Sequence, residues 1–221
     1  MVAPPNAVLM AHARDVVLLG GRAGGAPRVL DVGCGAGRNA VPLAESGCTV
    51  VGTDLSEPMV EAARAKAAAS PARDRLSFLV AAMAPLPLPD GAFDSVVAHG
   101  VWNLAHTDAQ LRAAVAEAAR VARRGASLFL FTFSRATLPP DAVPLPGQDY
   151  VYTQFNGDPC CFLTEAEVIT ELGRVGFVQR PGDRLTEYNR PKDGLRVRGP
   201  VTMEGVFYLD GAPKRDGSGT V

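Results

Sequence analysis

From Arg28 onward, short apolar runs take turns with Ala-rich stretches whose apolar positions recur at helical spacing, the rhythm of β-α-β units rather than of a sandwich or a bundle. It predicts strands at 28–32, 49–54, 76–80, 93–99 and 126–134, with helices at 6–20, 37–46 and 109–123. The stretch SEPMVEAARAKAAAS, beginning at Ser56, offers a capping serine, early acids and a run of strong helix formers, and reads as another helix. The segment APLPLPDG after the third strand has too many prolines for a helix or a central strand, so it reads as a loop. The near-continuous apolarity of 126–134 suits a strand covered on both faces. Beyond Arg135 the pattern lapses into TLPPDAVPLPGQDY, too long for a tight connection and read as a functional loop or cover. Thr164 then caps a helix closing at 173–176, strand candidates follow at 177–180 and 202–209, and the polar tail GAPKRDGSGTV at 211–221 reads as mobile.

Composition narrows the class. A chain of 221 residues with 47% hydrophobic content supports one well-buried core, so a single domain is expected. Its net charge of -1 supplies no field for nucleic acid or an anionic membrane, which favours a small-molecule partner. Neither a secretory signal nor a bilayer-length apolar stretch is present, and a cytoplasmic protein is expected. Cys34, Cys48, Cys160 and Cys161 have neither disulfide nor zinc spacing and read as reduced thiols; no metal site is expected. The neighbouring pair Cys160 and Cys161 leaves open a soft-metal or metalloid role.

The chemistry concentrates where the first strand meets its helix, in VLDVGCGAGRN from Val29 to Asn39. Gly33, Gly35 and Gly37 free the backbone of Cβ atoms so that a ligand can touch the main chain beside a helix N-terminus. Asp54 closes the second strand at the distance where an acid accepts hydrogen bonds from ribose hydroxyls. The spacing G-x-G-x-G differs from the G-x-G-x-x-G of pyrophosphate-binding folds and disfavours a dinucleotide.

These residues resemble the class I S-adenosylmethionine-dependent methyltransferases. The resemblance rests on LDVGCGAG at 30–37, GTDLS at 52–56, LPLPDGAFD at 86–94 and ARVARRGA at 119–126, in that order; it covers about half the chain, and Gly37-Arg38-Asn39 resembles the tellurite-resistance and thiopurine branch. It implies an α/β, Rossmann-like, doubly wound and mostly parallel seven-stranded sheet with helices on both faces. Within one domain, 1–26 would form an N-terminal helix and cap, 27–134 the cofactor-binding core, 135–163 a pocket-covering loop and 164–210 the C-terminal helix and strands. S-adenosyl-L-methionine is the implied cofactor: Gly33, Gly35 and Gly37 would cradle its methionine part, Asp31 would orient that loop or meet the ammonium, Asp54 would take the ribose hydroxyls and Leu55 would pack on adenine. Where the family places an acid for the adenine amino group this chain has Ala82, which leaves the backbone of Met83 for that contact.

Methyl transfer needs alignment, desolvation and, for a weakly acidic acceptor, a base. The reactive edge of such a sheet lies at the strand C-termini, so His99 and His106 are the candidate bases, with His99 also placed to touch cofactor; either could instead be an ordinary hydrogen-bonded residue. Trp102, Tyr150, Tyr152 and Gln154 are the candidate acceptor wall; Trp102 could equally pack on the sheet, and the segment at 150–156 could equally be an extra edge strand. The function predicted is methyl transfer to an O, N or S atom of a small molecule. Alternatives are an S-adenosylmethionine-binding protein without its own catalysis and a nicotinamide-dependent oxidoreductase. Oligomeric state is left open.

Overall fold

The computed structural model describes residues 4–19, 25–190 and 199–210. The tail at 211–221, the last position of the helix expected at 6–20 and part of the N-terminal cap lie outside the described residues.

Chain order gives α1 (Ala7–Leu19), β1 (Arg28–Val32), α2 (Ala40–Glu45), β2 (Thr49–Asp54), α3 (Glu57–Ala68), β3 (Leu76–Val80), β4 (Phe93–His99), α4 (Asp108–Val121), β5 (Ala122–Phe133), β6 (Val151–Tyr152), β7 (Cys160–Cys161), α5 (Glu165–Gly173), β8 (Phe177–Val178), β9 (Thr186–Tyr188) and β10 (Thr202–Leu209). Seven strands run side by side in the order β3-β2-β1-β4-β5-β10-β8, and β9 pairs with β10 as an eighth. β3, β2, β1, β4 and β5 are mutually parallel, whereas β10 is antiparallel to β5. The expected doubly wound, mostly parallel sheet is therefore what forms.

Side-chain alternation explains why helices lie on both faces. Leu30, Val96, Ala98, Leu128 and Leu130 join one core with Leu111 and Val115 of α4 and Val168 and Leu172 of α5. Val29, Val97 and Phe129 point the other way and join Leu9 of α1, Leu43 of α2 and Val60 of α3.

Several elements differ from expectation for local reasons. The helix expected at 37–46 begins only at Ala40, because Gly35 and Gly37 hold φ of 51° and 72°, which breaks right-handed helix geometry. Ser56 stands at the N-cap of α3 but its side chain makes no cap bond; Asp54 Oδ1 accepts the Ser56 N–H instead. α4 starts one residue early on the capping oxygen of Thr107, and β5 starts at Ala122, with its register to β4 shifting between Phe93 and Ser95. The strand expected at 177–180 is only two residues long, and β9 was not foreseen.

The LPLPDG loop is held by α4. Arg120 reaches the Leu86 and Leu88 carbonyls and Asp90, while Glu117 accepts from the Leu86 N–H at 2.7 Å. Two of the sequence blocks thus match because they grip each other.

Candidate active site

β1 and β2 end side by side, and the turn leaving β1 folds across the end of β2. Thr53 O accepts from both Gly33 N (2.7 Å) and Cys34 N (2.9 Å), and Asp54 Oδ2 accepts from Gly35 N at 2.8 Å. Gly33 has φ of 69°, and a Cβ there would lie 2.5 Å from Val101 Cγ2, so position 33 admits no side chain. Each Asp54 oxygen accepts one backbone N–H, from Gly35 and from Ser56, and keeps lone pairs for further donors.

Asp31 lies beneath this turn, 1% exposed. One of its carboxylate oxygens has no hydrogen-bond partner, an expensive state unless a donor or cation arrives. Burial, then the charge of Asp54, raises its pKa to about 7 against the help of the Ala40 N–H. Leu55, 75% exposed just past Asp54, offers apolar surface that nothing in the chain covers. An orphaned acid, a bare backbone cradle, a carboxylate with spare acceptors and an uncovered Leu are what a molecule with an ammonium, a ribose and a flat base would engage. S-adenosylmethionine fits on these grounds; Met83, half-buried beside the core, follows β3 in the loop beyond Val80.

His99 ends β4 and stacks on Phe131 of β5 with ring centroids 4.4 Å apart. Asn6 Nδ2 stands 3.3 Å from His99 Nε2, and since an amide nitrogen only donates, Nε2 is the accepting nitrogen of a neutral ring. Burial, then the Arg38 charge, lowers the His99 pKa, so the ring favours its neutral form and its Nε2 lone pair is held by the Asn6 amide. His106, by contrast, is exposed, and only its backbone is engaged, with Gln110.

The four residues expected to form an acceptor wall do not share one exposed surface. Trp102 is 3% exposed and packed in the α4 core, and Tyr152 is 2% exposed between Phe162 and Arg135. The buried Tyr150 hydroxyl donates to Glu171 at 2.8 Å, and Gln154 is exposed and folds back onto Val143 O. Of the two readings of 150–156, the short strand forms: Val151 and Tyr152 pair with Cys161 and Cys160. Burial raises both of these thiols, Cys161 to about 12, and Cys161 donates to Ala105 O, so neither offers a thiolate. Among the described residues no group of His, Cys, Asp and Glu could hold a metal, and no helix is long and apolar enough to cross a membrane.

What sequence reasoning missed lies beside His99. Asn6 caps α1 through Oδ1, accepting from Leu9 N, while its Nδ2 also donates to Glu204 Oε2 at 2.7 Å. Glu204 lies opposite Phe131 in the sheet, and Phe131 opposite His99, so three adjacent strands place them in one row. The signal for Glu204 was an acid set among apolar positions of a strand.

A family profile described as a methyltransferase domain matches residues 29–125. GfsG, a methyltransferase of Streptomyces halstedii, is 38% identical over 186 residues, covering 82% of this chain and 62% of that one. The 27-O-demethylrifamycin SV methyltransferase of Amycolatopsis mediterranei is 30% identical over 190 residues, covering 82% and 68%. The chain belongs to the class I S-adenosylmethionine-dependent methyltransferases. Among solved structures, the 1,6-didemethyltoxoflavin-N1-methyltransferase of Burkholderia thailandensis superimposes with a TM-score of 0.63 at 22% identity, over 91% of this chain and 78% of that one, a likeness of fold. This methyltransferase chain spans about half the length of other curated relatives it matches, 42–43% of two of them.

Proposed function

We propose that this methyltransferase moves the methyl group of S-adenosylmethionine by in-line displacement to an oxygen, nitrogen or sulfur of a small-molecule acceptor, with oxygen favoured. The observation that carries the proposal is the glycine turn clasped to Asp54 above an unpaired Asp31. The preference for oxygen is supported by the rifamycin relative, whose name places its reaction at an O-demethyl position, and by the neutral His99.

When bound, the cofactor supplies an electrophilic methyl on a sulfonium. The chain supplies position and charge. Main-chain groups of Gly33, Gly35 and Gly37 would receive the methionine end, Asp31 would meet its ammonium, the spare acceptors of Asp54 would take the ribose hydroxyls and Leu55 would cover the base. His99 Nε2 would be the base once the Asn6 amide turns from it, taking the acceptor proton and giving it to solvent after release.

Isothermal titration with S-adenosylmethionine and S-adenosylhomocysteine tests the cofactor half. Wild type binds both, and Asp54→Ala weakens binding roughly a hundredfold, the loss of two hydrogen bonds to a charged acceptor. Unchanged affinity in that variant overturns the assignment. Labelled methyl donor offered with hydroxyl-bearing acceptors, 27-O-demethylrifamycin SV among them, reads transfer.

A further inference from the structure

Between β9, β10 and the end of β5 lies an open groove of about 430 Å³ whose walls are mainly apolar. Phe131 and Phe133 form its floor, and Tyr188, Asn189 and Pro200 one side. At its inner end stand Asn6 and Glu204, with His99 directly behind Asn6. Glu204 is 4% exposed and receives hydrogen bonds from Asn6 and from the Tyr188 hydroxyl, whose pKa that bond raises. A nearly buried acceptor-only carboxylate facing an apolar trough is a built polar end, not a surface charge.

The arrangement around the Asn6 amide indicates what enters. One nitrogen with two hydrogens bridges Glu204 Oε2 and His99 Nε2, so the Asn6 amide fills the point between these two acceptors and leaves Glu204 as the carboxylate that meets the groove. A ligand group that reaches Glu204 must donate and must carry little negative charge, because Glu204 repels an anion. Apolar walls and a lone carboxylate acceptor describe an apolar molecule presenting a hydroxyl.

We propose that this groove is the acceptor site, and that it takes an uncharged apolar acceptor whose hydroxyl is oriented by Glu204. The inference rests on the methyltransferase reading, since the groove lies at the same strand-end rim as the turn leaving β1. In it Glu204 is a substrate-orienting residue and Phe133 an apolar contact. Phe133 rests on Phe162 and Phe155, which fixes the floor in place.

The test uses the full chain loaded with S-adenosylhomocysteine and titrated with naphthol and with its methyl ether, which has the same ring but no donor. Wild type is expected to bind naphthol at least about tenfold more tightly than the ether, the scale of a hydrogen bond to a charged group. In Glu204→Gln that preference shrinks below about threefold while homocysteine-cofactor affinity stays unchanged, and in Phe133→Ala both probes weaken about equally. A preference kept intact in Glu204→Gln, or no binding of naphthol to the loaded wild type, overturns the proposal. If S-adenosylhomocysteine itself fails to bind, the cofactor reading has failed instead, and the two failures are read from separate titrations.

Discussion

Asp31 stores a conflict between stability and binding. Its folded pKa of about 7 stands above the ordinary value of 3.8, so the fold favours its neutral form. As pH rises from 3.8 toward 7 the unfolded chain ionises first, and stability falls across that window. An ammonium beside Asp31 needs the ionised form. Affinity for S-adenosylhomocysteine should therefore drop as pH is lowered through 7, approaching tenfold per unit, and Asp31→Asn should flatten that profile, as titration across the range would show. The same variant should melt higher at about pH 8 while binding more weakly, because it removes a buried charge that only the ligand satisfies. His99 and His12 act in the opposite sense. Burial lowers both below the ordinary 6.5, so their contribution to stability is present above 6.5 and declines as acidification charges the unfolded chain first. Acid unfolding followed by circular dichroism should therefore be steeper below about pH 6.5 in Asp31→Asn than in wild type.

At the scale of elements, α5 illustrates how a secondary structure is anchored and why its partners were misjudged. Thr164 and Glu167 close a reciprocal capping box, and Glu171, buried in the middle of the helix, is held by Arg112 through Oε1 and Oε2 and by the Tyr150 hydroxyl. Tyr150→Phe removes one bond to a buried carboxylate and should cost about 1–2 kcal/mol in urea unfolding. Because Tyr150 does not face the groove, turnover should be unaffected once the protein is folded. The alternation of Tyr150, Tyr152 and Gln154 is a true period-two signal. Sequence alone could not say that the strand would turn its rings inward, because the acids and cations that receive them, Glu171 and Arg135, lie elsewhere in the chain. The residues of the proposed cofactor cradle could be grouped from the sequence because Asp31, the glycines and Asp54 fall within one β-α-β unit, where local spacing dictates contact. The groove was not, since Asn6 and Glu204 stand 198 positions apart and meet only after β10 has reversed beside β5.

For the whole molecule, the sheet divides its labour. β1 and β2 carry the proposed cradle for the methyl donor, β5, β9 and β10 carry the proposed acceptor groove, and His99 ends β4, which lies between β1 and β5. Double-mutant cycles on kcat/KM should follow that division. Asp54→Ala combined with Glu204→Gln should be additive within about 0.5 kcal/mol, whereas His99→Ala combined with Glu204→Gln should couple by about 1 kcal/mol or more through the shared Asn6 amide.

β10 enters the sheet against the direction of its neighbours, so its early residues, Thr202 and Glu204, reach the reactive rim where every parallel strand contributes its last. With the proposed groove there, exchanging a few positions late in the gene changes which acceptor is taken and leaves the proposed donor cradle at the front untouched.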